Sequence, residues 1–268
     1  FTFSGLKEDL RQSLYGQHVV SDVVLKAVTS FMTDSNPNKP LVLSFYGTTG
    51  TGKNHVTTII ARNIYKKGKN SENVHLFSPY LHFSYKDDLH IYSANLKKWI
   101  SGNVSSFPRS MFIFDQMDYM LPELIDVIKP FLGYSAHIDG VSFRKAIFIF
   151  LSNAGGQMLS KLALDFWREG KDRKAISMNI MNEKSKFLRS SIIDDLVDHY
   201  IPFLPLELKH VRQCVMTEMV HLKIPQDFKL ADQVARAMPF YPEKEEVFSV
   251  KGCRSVRQML ALKIHFFI

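Results

Sequence analysis

The sequence predicts an α/β protein in which a mostly parallel sheet is flanked by helices and followed by a small helical domain. Short apolar runs of strand length alternate with segments of helical period, which is typical of parallel strands joined by helices. Strand-like runs stop near residue 205, and the elements predicted beyond that point are helices. We therefore predict a large domain over residues 1–205 and a small helical domain over residues 206–268.

The predicted elements follow in chain order. Residues 6–31 contain two helices separated by a loop at Tyr15-Gly16-Gln17, and residues 41–46 form a strand that leads directly into glycines. A helical period resumes over residues 55–65. Later strands are predicted at residues 74–77, 110–114, 146–151 and 199–203, and later helices at residues 207–221, 229–238 and 255–264.

Composition excludes several classes of protein. With 46% hydrophobic residues among 268, the chain has the composition of an ordinary folded protein. Its apolar runs are much shorter than the roughly 20 residues of a membrane-spanning helix, so we expect no transmembrane segment. The net charge of +8 comes from scattered basic residues without an aromatic-interleaved RNA motif. We therefore expect no specific nucleic-acid partner.

The segment after the first predicted strand carries a phosphate-binding pattern. It reads GxxxxGK between a strand and a helix, the context in which this pattern binds phosphate. Its glycines let backbone N–H groups point into a concavity, and Lys53 is expected to reach the β and γ phosphates. The alternative is a Gly- and Thr-rich turn before a helix, which the lysine and the flanking elements disfavour. The predicted nucleotide-contacting residues are Gly47, Thr48, Thr49, Gly50, Thr51, Gly52, Lys53, Asn54 and His55.

A second buried strand ends in a carboxylate, Asp115, which is the candidate Walker B residue and Mg²⁺ ligand. Asn54 is the other candidate ligand, because it stands where a Ser or Thr hydroxyl usually contacts the ion. Because an amide replaces that hydroxyl, we predict that Asn54 coordinates Mg²⁺ more weakly or through its amide oxygen. A strand-end Asp is also often a helix cap, but the phosphate-binding pattern favours the metal role. ATP and Mg²⁺ are therefore the predicted ligands.

Gln116 occupies the position at which a carboxylate normally orients and deprotonates the attacking water. Its neutral amide has the same shape as a glutamate but cannot accept a proton at ordinary pH. We therefore predict an ATP hydrolase whose catalytic position is impaired, so that ATP binds and stays.

A third buried strand, over residues 146–151, is followed by Asn153 at the edge where ligands gather in open α/β sheets. Asn153 is a candidate to sense the γ-phosphate or position water, the role called sensor 1. The alternative is an Asn that closes the strand into the turn at Gly155-Gly156. A phosphate loop, a carboxylate strand and an Asn strand in this order are typical of AAA+ ATPases.

At this point the chain resembles one family, the torsins, AAA+ ATPases related to the Clp chaperones. The resemblance covers nearly the whole chain, and the sequence pattern is most similar to the torsin-1 group. Among the motifs that carry it are Gly52-Lys53-Asn54, Ile113-Phe114-Asp115, Ala163-Leu164-Asp165-Phe166-Trp167-Arg168, Pro202-Phe203-Leu204-Pro205 and Gly252-Cys253. It implies a P-loop AAA+ large domain with a small helical sensor 2 domain, located in the lumen of the endoplasmic reticulum and the perinuclear space.

The chain departs from the torsin pattern at identifiable places. Torsins have Glu after the Walker B Asp, so Gln116 is either an engineered ATP-trapping substitution or a natural loss of hydrolysis. The family's Gly-Cys-Lys sensor 2 motif reads Gly252-Cys253-Arg254, so Arg254 keeps the positive charge with a different geometry. Residues 175–184 are shorter than the family pattern.

The resemblance also implies partners. Torsins lack an arginine finger and gain ATPase activity from single-pass membrane activators of the lamina-associated polypeptide 1 type, whose luminal domain supplies that arginine. Further torsin copies in a homo-oligomer are a second expected partner. Remodelling of proteins or membranes is the implied activity, and an ATP-gated binding module without chemistry of its own is the alternative. Asn103 lies in an N-glycosylation sequon, which agrees with a luminal address.

Cys214 and Cys253 are the only cysteines, too few for a disulfide scaffold and too far apart for a CxxC motif. From the residues alone they are either two small buried hydrophobes or a disulfide in an oxidising compartment. The resemblance favours the disulfide, because the pair matches the positions of a family regarded as redox-responsive.

Overall fold

The computed structural model describes residues 2–83, 85–178 and 194–265 of the chain. The helices are α1 (Phe3–Ser13), α2 (His18–Thr33), α3 (Lys53–Ile64), α4 (Pro79–His82), α5 (Leu89–Ser106), α6 (Pro122–Ile128), α7 (Gly156–Arg168), α8 (Leu208–His221), α9 (Phe228–Arg236) and α10 (Val256–His265). The strands are β1 (Leu41–Gly47), β2 (Val74–Phe77), β3 (Met111–Phe114), β4 (Ile147–Ser152), β5 (His199–Phe203), β6 (Phe240–Tyr241) and β7 (Phe248–Ser249). Residues 179–184, part of the segment predicted to be short relative to the torsin pattern, lie outside the described residues.

Strands β1 to β5 form one parallel sheet in the order β2-β3-β4-β1-β5. In the centre, Phe45 of β1 lies opposite Leu151 of β4 on one side and Ile201 of β5 on the other. Because the strands are parallel, their carboxyl ends share one edge of the sheet. The residues that follow β1, β3 and β4 therefore meet at that edge, and the predicted α/β fold is confirmed.

The sheet is buried on both faces, which explains why its strands read as continuous apolar runs. One face packs Leu43 and Phe45 against α1, α2 and α3. The other packs phenylalanines against α5 and α6. Rings on this second face stack across neighbouring strands, with centroids 5.1 Å apart for Phe112 and Phe148 and 5.4 Å apart for Phe114 and Phe150. This packing holds the carboxyl edge of the sheet in place.

Helices α8 to α10 pack around a separate apolar cluster that includes Val215, Val234 and Leu260. The structure corrects one expectation here, because β6 and β7 form an antiparallel pair where only helices were predicted. Strands of two residues are too short to produce an alternating pattern in the sequence. The domain division at residue 205 stays a prediction. Among the described residues, no helix is both long and apolar enough to cross a membrane.

Candidate nucleotide site

The loop between β1 and α3 needs glycine at several positions. Gly47, Gly50 and Gly52 have φ values of 146°, 74° and 110°, which L side chains rarely adopt. A Cβ on Gly50 would lie 1.9 Å from the carbonyl oxygen of Lys251, and a Cβ on Gly47 would lie 2.5 Å from that of Phe203. Glycine is therefore required for two reasons: the positive φ values, and the close approach of the Lys251 and Phe203 backbone to the loop.

Lys53, the first residue of α3, turns its ammonium group back into this loop. Its Nζ donates to the carbonyl oxygens of Gly47 at 2.6 Å and Thr48 at 2.8 Å, and to Oδ1 of Asn153 at 2.9 Å. Burial lowers the pKa of Lys53 to about 8, although the carboxylates of Asp115 and Asp118 act in the opposite direction. The structure therefore brings the candidate phosphate lysine and the candidate sensor 1 residue into direct contact.

Asp115 and Asn54 also meet at the sheet edge. Nδ2 of Asn54 donates to Oδ2 of Asp115 at 3.3 Å, and Oδ1 of Asp115 accepts from the backbone N–H of Gln116 at 2.8 Å. The side chains thus offer a carboxylate and an amide, the oxygen ligands that Mg²⁺ prefers. His55 follows Asn54 in α3 and is exposed.

Asp118 is a residue of this edge that the sequence analysis missed. Its Oδ1 accepts from the hydroxyl of Ser152 at 2.7 Å and from the backbone N–H of Asn153 at 2.9 Å. Asp118 therefore fixes the chain where β4 ends and presents Asn153 to Lys53. A second acidic residue shortly after Asp115 was the available signal.

Gln116 has left-handed backbone angles, φ 57° and ψ 46°. Its Oε1 accepts a hydrogen bond from the hydroxyl of Ser78 at 3.0 Å. Ser78 is buried and directly follows β2, the strand next to β3. The orientation of Gln116 is thus set from the neighbouring strand by a residue that the sequence analysis did not single out.

The loop before α10 lies directly on the phosphate-binding loop. The backbone N–H of Cys253 donates to the carbonyl oxygen of Gly50 at 3.0 Å, and Nη1 of Arg254 donates to Oγ1 of Thr49 at 3.1 Å. Gly252 has φ 52°, and a Cβ there would lie 2.3 Å from the carbonyl oxygen of Gly50. The candidate sensor 2 residue is therefore in contact with the phosphate-binding loop.

The structure contains the Cys214–Cys253 disulfide, with Cα atoms 6.1 Å apart. The expected pairing is confirmed. The bond joins α8 to the loop that lies on Gly50, so the position of that loop depends on α8.

Gln17 is another contact of the phosphate-binding loop that sequence reasoning missed. Its Nε2 donates to the carbonyl oxygens of Thr51 at 3.0 Å and Leu204 at 2.8 Å, and its Oε1 accepts from the backbone N–H of Leu204 at 2.9 Å. Within the loop, Oγ1 of Thr51 donates to the carbonyl oxygen of Thr48 at 2.8 Å. The α1–α2 connection thus braces the phosphate-binding loop from behind.

Two features lie outside this cluster. Asn103 is near the end of α5, where its Nδ2 donates to the carbonyl oxygen of Trp99 at 2.8 Å, and its glycosylation stays a prediction. A cavity of about 1040 Å³ separates α1 and α2 from α8, but no residue of the range 47–55 lines it. The phosphate-binding loop and this cavity are therefore different places.

Comparison with known proteins agrees with this geometry. The family model described as Torsin matches residues 1–114, and the model described as Torsin-1A, C-terminal domain, matches residues 206–262, which together make up more than half of the chain. Among solved structures, the chain is similar to the S. cerevisiae Hsp104-ADP complex, with a TM-score of 0.70 and 15% identity over 99% of this chain. That similarity shows the fold alone, and the chain spans about half of the matched Hsp104 chain, 48%. The two family models show that this chain belongs to the torsin family of AAA+ ATPases.

Proposed function

We propose that this chain binds ATP with Mg²⁺ at the phosphate-binding loop and belongs to an ATP-driven remodelling system. The observation that carries the proposal is the contact of Lys53 with Asn153 beside the Asn54–Asp115 pair. The carboxyl edge of the parallel sheet thus presents one cation, two amides and a carboxylate. These groups suit a nucleoside triphosphate and its metal ion. The Hsp104 structure, which shares this fold, is a complex with ADP.

Each side chain has a proposed role. Lys53 binds the β and γ phosphates, Asn153 orients the γ-phosphate or water, and Arg254 adds positive charge from the other side. Asp115 and Asn54 hold Mg²⁺, which when bound neutralises charge on the phosphate oxygens. The oxygen donors present fit that ion.

The side chain at position 116 determines whether bound ATP is hydrolysed. A neutral amide held by Ser78 cannot take a proton from water, so we propose that the chain keeps ATP bound. This residue also favours the second candidate function, an ATP-gated binding module with no chemistry of its own. The two candidates differ in what happens when Glu is restored at position 116.

The proposed location is the lumen of the endoplasmic reticulum and the perinuclear space. Family membership, the Cys214–Cys253 disulfide and the sequon at Asn103 support it, because disulfides persist in oxidising compartments. In that location we propose activation by the luminal domain of a lamina-associated polypeptide 1-type membrane protein, which supplies an arginine in trans. Such an arginine accelerates related phosphoryl transfers by roughly 10³ to 10⁵.

The first test concerns binding. Lys53→Ala should abolish ATP binding measured by calorimetry, whereas Lys69→Ala, which removes an exposed lysine after α3, should leave it unchanged. Equal ATP affinity of the parent chain and the Lys53→Ala variant would refute the proposed site.

The second test concerns turnover. Gln116→Glu should raise ATP turnover in the presence of the luminal activator domain by about 10² to 10⁴, the usual contribution of a positioned general base. Equal rates for the parent chain and Gln116→Glu would show that position 116 has no such role. A Gln116→Glu chain that binds ATP and activator without turnover would favour the binding module.

A further inference from the structure

Arg173 is a buried cation that joins separate parts of the chain. It begins a short 3-10 turn, Arg173–Ala175, a few residues after α7. Its Nε and Nη2 both donate to the carbonyl oxygen of Gly16, at 3.2 and 2.8 Å, and its Nη1 donates to Oε1 of Glu207 at 3.3 Å. The α1–α2 connection, the segment after α7 and the start of α8 therefore meet at one guanidinium group.

The burial of this group makes its geometry important. The Arg173 side chain is only 12% exposed, and burial lowers its pKa while the carboxylate of Glu207 raises it. A buried guanidinium is favourable only when its donors are matched, and removing it leaves the partner oxygens without a donor. A lysine would keep the charge but lose the planar fork that reaches both Gly16 and Glu207.

On one side, Arg173 leads to the phosphate-binding loop. Gly16, which it holds, is followed by Gln17, whose amide bonds to Thr51 and to Leu204. Arg173 has no hydrogen bond to residues 47–55 among the described contacts, so it acts on that loop indirectly, and Gly16 and Gln17 provide a hydrogen-bonded route.

On the other side, Arg173 leads to α8. Its partner Glu207 caps this helix, with its side chain accepting from the backbone N–H of His210. Burial and the charge of Arg173 lower the pKa of His210 to about 3, so its neutral Nδ1 accepts from the backbone N–H of Glu207 at 3.1 Å. Gly16 packs directly against His210, because a Cβ at position 16 would lie only 2.8 Å from Nδ1 of that ring. The same helix carries Cys214.

We propose that Arg173 is a positioning residue for nucleotide binding: it sets the Gly16-Gln17 backbone against the phosphate-binding loop and fastens it to the first turn of α8. This inference rests on the proposed function for its effect on nucleotide affinity. Its structural part, the coupling of the phosphate-binding loop to α8, is independent of any nucleotide.

The binding experiment compares ATP dissociation constants of variants that remain folded by circular dichroism. Arg173→Met should weaken ATP binding by about tenfold, and Arg173→Lys should fall between that variant and the parent chain. Arg212→Met is the matched control. Arg212 also pairs with a carboxylate, that of Asp232, and both arginines line the cavity between α1, α2 and α8. The control should bind ATP as the parent chain does. Unchanged affinity in Arg173→Met, or equal loss in Arg212→Met, would overturn the inference.

A double-mutant cycle separates positioning from a general loss of stability. If Arg173 acts through Gln17, then Arg173→Met should cost little further affinity in a chain that already carries Gln17→Ala. Fully additive losses would contradict this route.

Amide hydrogen exchange tests the coupling without nucleotide. In Arg173→Met, exchange should rise in residues 48–52 and in the first turn of α8, but not in α9. Unchanged exchange at residues 48–52 would overturn the inference even if ATP binds. Failure of the parent chain to bind ATP would instead refute the proposed function, and the exchange result would still decide the role of Arg173.

Discussion

At the scale of single residues, we expect the proposed phosphate site to depend most on the charge of Lys53. Its ammonium group is half-buried among neutral oxygens of Gly47, Thr48 and Asn153, and the loss of hydration lowers its pKa to about 8. The phosphates of ATP carry negative charge and favour the protonated lysine. The proton affinity of Lys53 and the nucleotide affinity of the chain are therefore linked.

We expect ATP affinity to be constant below pH 8 and to fall above it. Below that pH, Lys53 is protonated in both the free and the bound chain. Above it, binding requires uptake of a proton, so affinity falls by about tenfold per pH unit until the pKa of the complex is reached. Calorimetric titrations over this range measure the decline. Lys53→Arg is the control, because its guanidinium stays charged, and its affinity should not change with pH. A similar decline in that variant would contradict the role of Lys53.

The sequence predicted the site residues that stand in contiguous motifs and missed those that act across the fold. Lys53 and Asp115 are recognisable because each follows a strand-like run in a known pattern. The bond from Ser78 to Gln116 spans 38 residues and joins the ends of adjacent strands, so it follows only from strand order. Arg173 and Gly16 are 157 residues apart, so their contact follows only from the fold.

At the scale of elements, the loop between β7 and α10 forms one side of the proposed nucleotide site. Cys253 donates to Gly50, Arg254 donates to Thr49, and the disulfide ties this loop to Cys214 in α8. The parallel strands were predictable because a strand buried on both faces is apolar throughout. Strands β6 and β7 were not predictable, because each has two residues and is recognised as a strand only by its pairing with the other.

We expect reduction of the Cys214–Cys253 disulfide to weaken ATP binding several-fold. Reduction would remove a stabilisation of the folded chain of about 4 kcal/mol in the chain-entropy model for a separation of 39 residues, and Arg254 would be held less firmly on Thr49. Calorimetry with and without reductant measures the change. A chain with both Cys214→Ser and Cys253→Ser should show the weaker affinity and no response to reductant. Equal affinities before and after reduction would leave the disulfide a purely structural link.

At the scale of the whole molecule, the phosphate-binding loop lies between the sheet edge and the helical C-terminal region. Contacts from Cys253 and Arg254 hold it on one side, and Gln17 with Arg173 holds it on the other. A ligand that changes these contacts also changes how firmly α8 to α10 are held against the sheet. We therefore expect nucleotide state and the surface offered to a partner to be thermodynamically linked, and such a linkage is reciprocal.

The last prediction is that ATP favours assembly with a luminal activator domain or with further torsin copies more than ADP does. In AAA+ assemblies the γ-phosphate lies at the face between subunits, and Gln116 should keep that phosphate in place during the measurement. We expect partner affinity to be at least about tenfold higher with ATP, a difference of about 1.4 kcal/mol. Calorimetry with the activator domain and gel filtration of the chain alone measure the two kinds of assembly separately.

Lys53→Ala is the control for this prediction, because it removes nucleotide binding and should remove the difference between ATP and ADP. Reciprocity adds a second check on the same linkage. If ATP strengthens partner binding by a given factor relative to ADP, saturating partner must strengthen ATP binding relative to ADP by that same factor. Equal partner affinity with ATP and ADP would contradict nucleotide-controlled assembly. Because the two factors must be equal at equilibrium, unequal factors would show that ATP was hydrolysed or that the complexes had not equilibrated during the measurement.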